Sequence, residues 1–446
     1  MQSRGHAIVI GAGIAGLTSA FVLARHFERV TLIERDSLGK GAVFRKGVPQ
    51  ARHAHGLTSQ GALALETLFP GIGHELEQAG APVFDHGESI STWISAGHIP
   101  FSRVGLQIQI CTRPLLETCI RQRVMDIVGI ECIDEHEVVQ LHMTGPYTSG
   151  VYIRACPAPH NTADRLLPAD WVVDASGRFS HMPQWLEKLG YEPPKNNVVD
   201  AHVVYASCTF KAPSPAWRVL YHLSSVPDQP RGVYALCTER DEWLVTLYGA
   251  AGDKPGLDES AFRAFAASLD NPDLNALLLN ARRVSSITRY ARTENRRRAY
   301  GRMCRWPEHL VVIGDAACAF NPIYGQGMTL AVKQSILMGE VIERSLTSKD
   351  AARQFQVKQE KMTAWPWRLA ISDDLLWQAK MRQRKGPLLA RIFHAYKAIL
   401  YRAVLSEPFL YKLFLGISHQ VHHPLCMFHP QVLIRVVKQL LRHGNR

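Results

Sequence analysis

Residues 6–35, HAIVIGAGIAGLTSAFVLARHFERVTLIER, constrain the fold of this chain more than any other stretch. Residues 6–10 form a short apolar run of the kind that makes a strand buried on both faces. Gly11, Gly13 and Gly16 follow as G-x-G-x-x-G, and residues 15–26 carry good helix formers with an apolar face. A second apolar run, 30–33, ends at Glu34. The spacing has a mechanical reason. Gly11 permits a tight turn, Gly13 lets a pyrophosphate approach the backbone, and Gly16 lets the helix pack against the strand. The helix N-terminus then faces the phosphates with unpaired N–H groups. Glu34, at the end of the second strand, is placed to hold a ribose hydroxyl. Strand, glycines, helix, strand and acid in this order predict a dinucleotide-binding unit. The motif by itself does not separate FAD from NAD.

The 446 residues are too many for one simple core, so two or three packed domains are expected. Nine cysteines at irregular spacings form no C-x-x-C pair, which fits reduced thiols in a cytoplasm better than a disulfide framework. The chain opens directly on the nucleotide-binding strand, so no signal peptide is expected, and no run of about 18 apolar residues announces a membrane span. The net charge of +12 comes with no nucleic-acid motif, so nucleic acid is not expected as a partner. His53 and His55 are spaced like paired metal ligands, but no acid or cysteine cluster joins them and no metal is expected.

After Glu34 come Arg35 and a basic loop, RKGVPQARHAH over residues 45–55. Beside a dinucleotide site Arg35 and Arg52 are candidate contacts to phosphate or to a ring edge; a solvated basic loop is the alternative. A helix is predicted over 61–69, another around 75–79, and strands within 82–110. Thr112 is a candidate cap and Pro114 suits a first helical turn, which puts Arg113 at a strand-to-helix corner where a cation can reach a phosphate or ribose. Residues 130–180 read as a β-meander ending in the apolar run 171–173 and then Asp174-Ala175-Ser176-Gly177, a second strand-then-loop of nucleotide type.

Residues 200–250 alternate with a period near two and are rich in aromatic and β-branched residues, an antiparallel sheet that can floor an apolar ligand cavity or be plain core. Helices are predicted at 258–269 and 272–280. The basic stretch 282–305, centred on Arg296-Arg297-Arg298, reads as a solvated charged strand between domains in preference to a phosphate site. A third buried run, 310–313, ends at Gly314-Asp315 and leads through NPIYGQGM (321–328) into a long helix over 329–344, a second helix dipole aimed at the site. The last 60 or so residues are predicted helical with breaks at Pro387, Pro408, Pro424 and Pro430. From Gly386 onward there are eight Lys/Arg and one acid, Glu407, which is +7 of the net +12. Apolar residues recur on every turn of this tail. The pattern suits an ordinary helical lid with a basic outer face, and also contact with an anionic membrane surface. His419, His422, His423 and His429 read as solvated or capping residues.

Three separated motifs, GAGIAG with Glu34, VVDASGRFS and VVIGDAACAFNPIYGQGM, resemble the FAD-dependent monooxygenases of the para-hydroxybenzoate hydroxylase fold. The strings RKGVPQARHAHGL, Asn295-Arg296-Arg297…Tyr300 and WPEHLVVIGDA resemble, within that group, the bacterial polyether epoxidases of the lasalocid and monensin pathways, over residues 1–375. The resemblance implies that Gly11, Gly13 and Gly16 hold the FAD pyrophosphate and Glu34 the adenosine ribose. It implies that Arg113 contacts FAD, that Asp315 binds the ribitol or pyrophosphate, and that Gly325, Gly327 and Met328 lie along the isoalloxazine, with backbone from Pro322 onward near the flavin. Asp174 resembles the first acid of the family's Asp-Gly motif, linked to FAD and NAD(P)H; here the motif is Asp-Ala-Ser-Gly, a departure that leaves room for a separate flavin reductase. No protein residue is assigned as catalytic, because the chemistry is flavin-borne.

The implied fold is α/β: a Rossmann-like FAD-binding domain in three pieces (1–80, 105–182 and 295–350), an inserted β-sheet substrate domain in two (81–104 and 183–294), and a helical C-terminal region (351–446). The implied activity is insertion of one oxygen atom of O2, with NAD(P)H as reductant, by epoxidation or hydroxylation of a large apolar small molecule such as a polyene, terpenoid or polyketide. Isoprenoid reductases and flavin halogenases share motifs of this type. The halogenases' Trp-x-Trp-x-Ile-Pro is not matched by Trp365-Pro366-Trp367-Arg368-Leu369.

Overall fold

The strand Arg4–Ile10 is buried on both faces, with Ala7, Ile8 and Val9 fully shielded, and such a strand needs parallel neighbours on each side. A computed structural model of the chain, which describes residues 4–39, 41–157, 163–345, 348 and 350–443, provides them. Phe27–Ile33 lies on one side and Trp171–Asp174 on the other, extended by Ile130–Ile133 and Leu310–Val312 into a five-stranded sheet whose neighbours all pair in parallel. Ile10 sits opposite both Ile33 and Asp174, and Asp174 opposite Val312. Gly11, Glu34, the 174–180 loop and Asp315 therefore emerge together at the carboxyl edge, where ligands bind in open α/β sheets.

The run 130–180 departs from the expected meander. His136–Thr144, Tyr147–Ala155 and Arg165–Pro168 form a separate three-stranded antiparallel sheet, while its first and last strands belong to the parallel sheet. All four residues of Trp171–Asp174 are buried, which a solvated meander edge would not allow.

The second large sheet has eight strands, among them Ile90–Ile94, Val204–Lys211, Val219–His222, Arg231–Cys237 and Trp243–Gly249. Its period of two sorts the side chains. Ala206, Cys208, Phe210, Val245 and Leu247 pack under the helices Glu259–Ala267 and Pro272–Leu279. The alternate positions, Tyr205, Ser207, Tyr234, Thr246 and Tyr248, face the other way.

The arginine stretch is not the solvated strand expected from its composition. Asn295–Arg298 pairs with Asn196–Val199 and Cys318–Ala319. Arg298 donates to Ala316 O (2.7 Å) and Arg178 O (3.1 Å), and Arg297 pairs with Glu360 at 3.2 Å. These guanidinium groups satisfy carbonyls and a carboxylate between domains.

The helices Leu388–Val404, Pro408–Ser418 and Pro430–His443 begin at or beside the expected prolines. Before them Ala351–Met381 runs for 31 residues. Near its start Gln356 and Gln359 donate to Val312 O of the parallel sheet; near its end Leu376 and Trp377 pack with Tyr205 and Tyr248 of the large sheet. It straps the two together. No helix among the described residues is long and apolar enough to cross a membrane.

A second tie is local. Thr112 caps Arg113–Met125 by accepting from Leu115 N, and its own N–H and hydroxyl donate to Glu239 on a hairpin of the large sheet (2.9 and 2.6 Å). Thr112→Ala removes the cap and strands one oxygen of Glu239. The expected result in denaturant melts is a loss of about 1–2 kcal/mol.

Candidate active site

The cradle at the carboxyl edge is shaped by what its glycines exclude. A Cβ on Gly16 would lie 1.8 Å from Gly11 O, and one on Gly11 would lie 2.7 Å from Ala175 O at a φ of +96°. A Cβ on Gly13 would meet nothing within 4 Å, which is the open approach a phosphate needs. The helix Ile14–Leu23 starts there with no side-chain cap, so its first N–H groups point into that space.

Glu34 and Arg113 come together through two residues not singled out from sequence. Glu34 accepts from Ala12 N at 2.8 Å, and Arg45 folds back from the basic loop to meet Glu34 at 3.1 Å and Ala12 O at 3.3 Å. Arg45 also hydrogen-bonds Glu117, which pairs with Arg113 at 3.3 Å. Burial works against the Arg45 charge, but Glu117 and Glu34 outweigh it and raise its pKa. Arg35 and Arg52 are exposed instead, and the Arg52 guanidinium lies 4.5 Å over the Phe44 ring. The buried cation that pairs with Glu34 is therefore Arg45.

Asp174 is also turned away from a ligand role. It is fully buried and accepts from Ser176 N, Ser176 Oγ and Ser180 Oγ, so its carboxylate is consumed in folding its own loop. Asp315 is the contrasting acid. Burial pushes its pKa up while Arg178, Arg113 and Arg298 pull it down. Its Oδ1 faces Gly327, 3.6 Å from where a Cβ would stand, and no described donor hydrogen-bonds it. It is free to accept from a bound hydroxyl.

The loop 321–328 turns at Gly325, which has the left-handed φ of +62°, and feeds the helix Gly327–Ser345. Met328 lines a cleft with Arg113, His55, Leu57, Cys111 and Leu116. Pro322, Gly325 and Gly327 thus lie on the backbone between that cleft and the tyrosine face of the large sheet. Tyr205 OH donates to Asn321 Oδ1 (3.3 Å) and Tyr234 OH to Ile323 O (2.9 Å). Tyr234 stacks on Tyr248 at 5.4 Å and meets Tyr221 edge-on at 5.2 Å. His53 Nδ1 is 2.7 Å from Ser207 Oγ, which is 2.7 Å from Thr246 Oγ1. Burial, with help from Arg52, lowers the His53 pKa to about 4, so the ring is neutral at physiological pH.

The long strap supplies a residue that nothing in the local sequence marks. Asp374 accepts from Tyr324 OH (2.6 Å), Asn295 Nδ2 (2.6 Å) and Asn321 Nδ2 (3.1 Å), so one carboxyl group holds both ends of the turn. Burial raises its pKa to about 7, helped by neighbouring Asp373 and opposed by its three donors. Asp373 is held below the usual carboxylate range by Lys397 and His394, in spite of burial.

The comparisons with known proteins agree with this geometry. The family model for FAD-dependent oxidoreductases matches residues 6–102, the segment that carries the glycine turn, Glu34 and Arg45. Protein Rv3254 of Mycobacterium tuberculosis is 33% identical over 360 residues, 78% of this chain and 74% of that protein. The chain belongs to the FAD-dependent oxidoreductases. A 6-methylpretetramide 4-monooxygenase of Streptomyces rimosus is 25% identical, over 90% of this chain and 92% of that one. Among solved structures, p-nitrophenol 4-monooxygenase of Pseudomonas putida superposes with a TM-score of 0.65 at 14% identity (95% and 100% of the two chains). A flavin-dependent halogenase, CmlS, does so at 0.67 and 14% (94% and 77%). The fold of this oxidoreductase is accordingly of the para-hydroxybenzoate hydroxylase type, with a helical C-terminal region. FAD fits the residues present: open space at Gly13, an uncapped helix N-terminus, a paired acid and cation at Glu34 and Arg45, and an unengaged acceptor at Asp315.

Arg45→Met leaves Glu34 and Glu117 buried with a cation missing. It is expected to cost about 3–5 kcal/mol in denaturant melts and to weaken FAD binding in a fluorescence titration. Asp374→Asn tests the strap. A carboxyl whose folded pKa is raised binds its proton better in the folded state. Its contribution is therefore full below the ordinary carboxylate range and is lost as pH rises towards about 7. The wild-type melting temperature should fall across that window more steeply than that of the variant; equal slopes would remove Asp374 as the cause.

Proposed function

We propose that this oxidoreductase is a monooxygenase that takes electrons from NAD(P)H and inserts one oxygen atom of O2 into a large apolar small molecule. A polyene, terpenoid or polyketide is the intended class, and epoxidation or hydroxylation the intended reaction. The observation that carries the reading is the tyrosine face set directly against the loop 321–328, with Tyr205 and Tyr234 hydrogen-bonded to it. Bound FAD supplies the redox and O2 chemistry. The glycines of the first turn and the helix N-terminus behind them hold its pyrophosphate, with Arg45 and Arg113 as counter-cations. Glu34 takes the adenosine ribose, Asp315 the ribityl hydroxyls, and the backbone of residues 322–328 the ring edge.

The chain's remaining task is to exclude water and orient the substrate. Tyr221 and Tyr234 are only partly buried and present aromatic surface that suits a large hydrocarbon-like ligand, while Tyr205 and Tyr248 are packed against Leu376 and Trp377. An alkene needs no base. For a phenolic substrate the line from His53 Nδ1 through Ser207 Oγ to Thr246 Oγ1 is a path along which a hydroxyl proton can move. The likeness of the motifs to polyether epoxidases supports the alkene, and the 6-methylpretetramide monooxygenase supports a polyketide ring.

Purified protein given FAD is expected to turn yellow, to bleach anaerobically with NADPH or NADH, and then to consume O2 with a polyene substrate, forming a product heavier by one oxygen atom. Failure to retain FAD would overturn the cofactor assignment. A halide-dependent product, or a saturated product formed without O2, would overturn the oxygen insertion alone.

A further inference from the structure

We infer that the C-terminal helices dock this protein on an anionic lipid membrane. The described residues expose large apolar side chains most densely in this segment. On the helix Leu388–Val404, Leu388 and Ile392 stand one turn apart at 65% and 57% exposure. Tyr396, one turn further, stacks on the half-exposed ring of Phe428 at 5.4 Å. The helix Pro430–His443 seats Val432 and Val436 in the core beneath it and turns Leu433, Ile434 and Val437 outward. Arg435 on that helix reaches over the exposed Phe409 ring at 4.6 Å, which ties in the helix Pro408–Ser418. The apolar surface thus spans all three helices.

Charge says what covers it. Residues 386–446 hold eight cations and one acid, and that acid, Glu407, is paired to Arg435 at 2.6 Å. Arg382, Arg384 and Lys385 are exposed just ahead of Leu388, and Arg391 and Lys438 are exposed beside Ile392 and Val437. Apolar side chains facing outward within a basic rim fit an interface where chains enter the acyl boundary and cations meet lipid phosphates. A second copy of the chain fits poorly, because twofold pairing would set the same cations against one another. Nucleic acid would meet the cations and leave the isoleucine, leucine and valine side chains in water. The helices that carry this face also reach the loop 321–328, through Gln326 Nε2 to Ser418 O at 3.2 Å. Docking therefore sets helices that hold this loop against lipid. That a substrate would arrive from the lipid rests on the monooxygenase reading; the docking does not.

The test is cosedimentation of the full-length FAD-loaded protein with vesicles of phosphatidylcholine alone or mixed with phosphatidylglycerol. The protein is expected to pellet with the anionic vesicles, to stay in solution with phosphatidylcholine alone, and to be released by high salt. Ile434→Gln with Val437→Gln changes no charge and touches exposed positions; partitioning should fall by about tenfold or more. Arg384→Gln with Lys385→Gln should lower binding to anionic vesicles several-fold. Circular dichroism and FAD absorbance confirm that both variants are folded. Wild type that stays in solution with both vesicle types overturns the proposal. So does pelleting that the Ile434 and Val437 changes leave intact. Self-association in sedimentation velocity that these changes abolish, with no vesicle binding, would assign the face to a second copy and overturn it as well.

Discussion

Glu34, Arg45, Glu117 and Arg113 lie in a row out of water where the parallel strands end, and the cradle depends on their mutual pairing. Each charge buried there carries a desolvation cost that only an opposite charge and well-placed donors offset. Glu34 therefore stays on Ala12 N, Arg45 is drawn out of its loop, and Glu117 fixes Arg113 at the head of its helix. The G-x-G-x-x-G turn sets the backbone, but this row sets the field into which a pyrophosphate and a ribose would enter. A lone glycine turn would offer N–H groups with no fixed counter-cations.

The second dependence runs through Asp374. The cradle and the tyrosine face are built on different sheets, and their separation is governed by the turn at 321–325 and the strap that crosses both. One carboxyl group, buried and satisfied by Asn295, Asn321 and Tyr324, links the arginine strand, the turn and the C-terminal helices. Hydrogen bonds in so dry a setting are costly to break, which makes them suited to fixing one arrangement of domains. Through Asp374 and Gln326 the helices hold the loop along which the ring of FAD is proposed to lie.

Much of the cradle was legible in the chain. The roles of Gly11, Gly13 and Gly16 follow from local sterics: a Cβ would clash at Gly11 and Gly16 and stand in open space at Gly13, as the spacing requires. Thr112 as a cap and the tail's proline breaks are local too. Arg45 was harder. It shares a loop with several cations, and no local rule says which one folds inward, since loop conformation is decided by partners distant in sequence. Arg35 and Arg52 had the right charge and neighbourhood but stayed in solvent. Asp174 had the right motif position, yet Ser176 and Ser180 further along its loop gave its carboxylate local donors. Asp374 sits mid-helix beside another acid, a pattern that ordinarily marks a solvated face, and only packing across 79 and 53 positions of chain shows otherwise.

The βαβ unit, the alternation of the large sheet and the helical tail follow from the order of residues alone, because backbone sterics and hydrophobic period are properties of neighbouring residues. Long-range packing decided which arginine meets Glu34, which acid is spent on its own loop and which remains an open acceptor. It also decided which apolar residues of the tail are core and which face outward. Those are outcomes of burial, and burial is set by what the rest of the chain places alongside, not by what stands next in line.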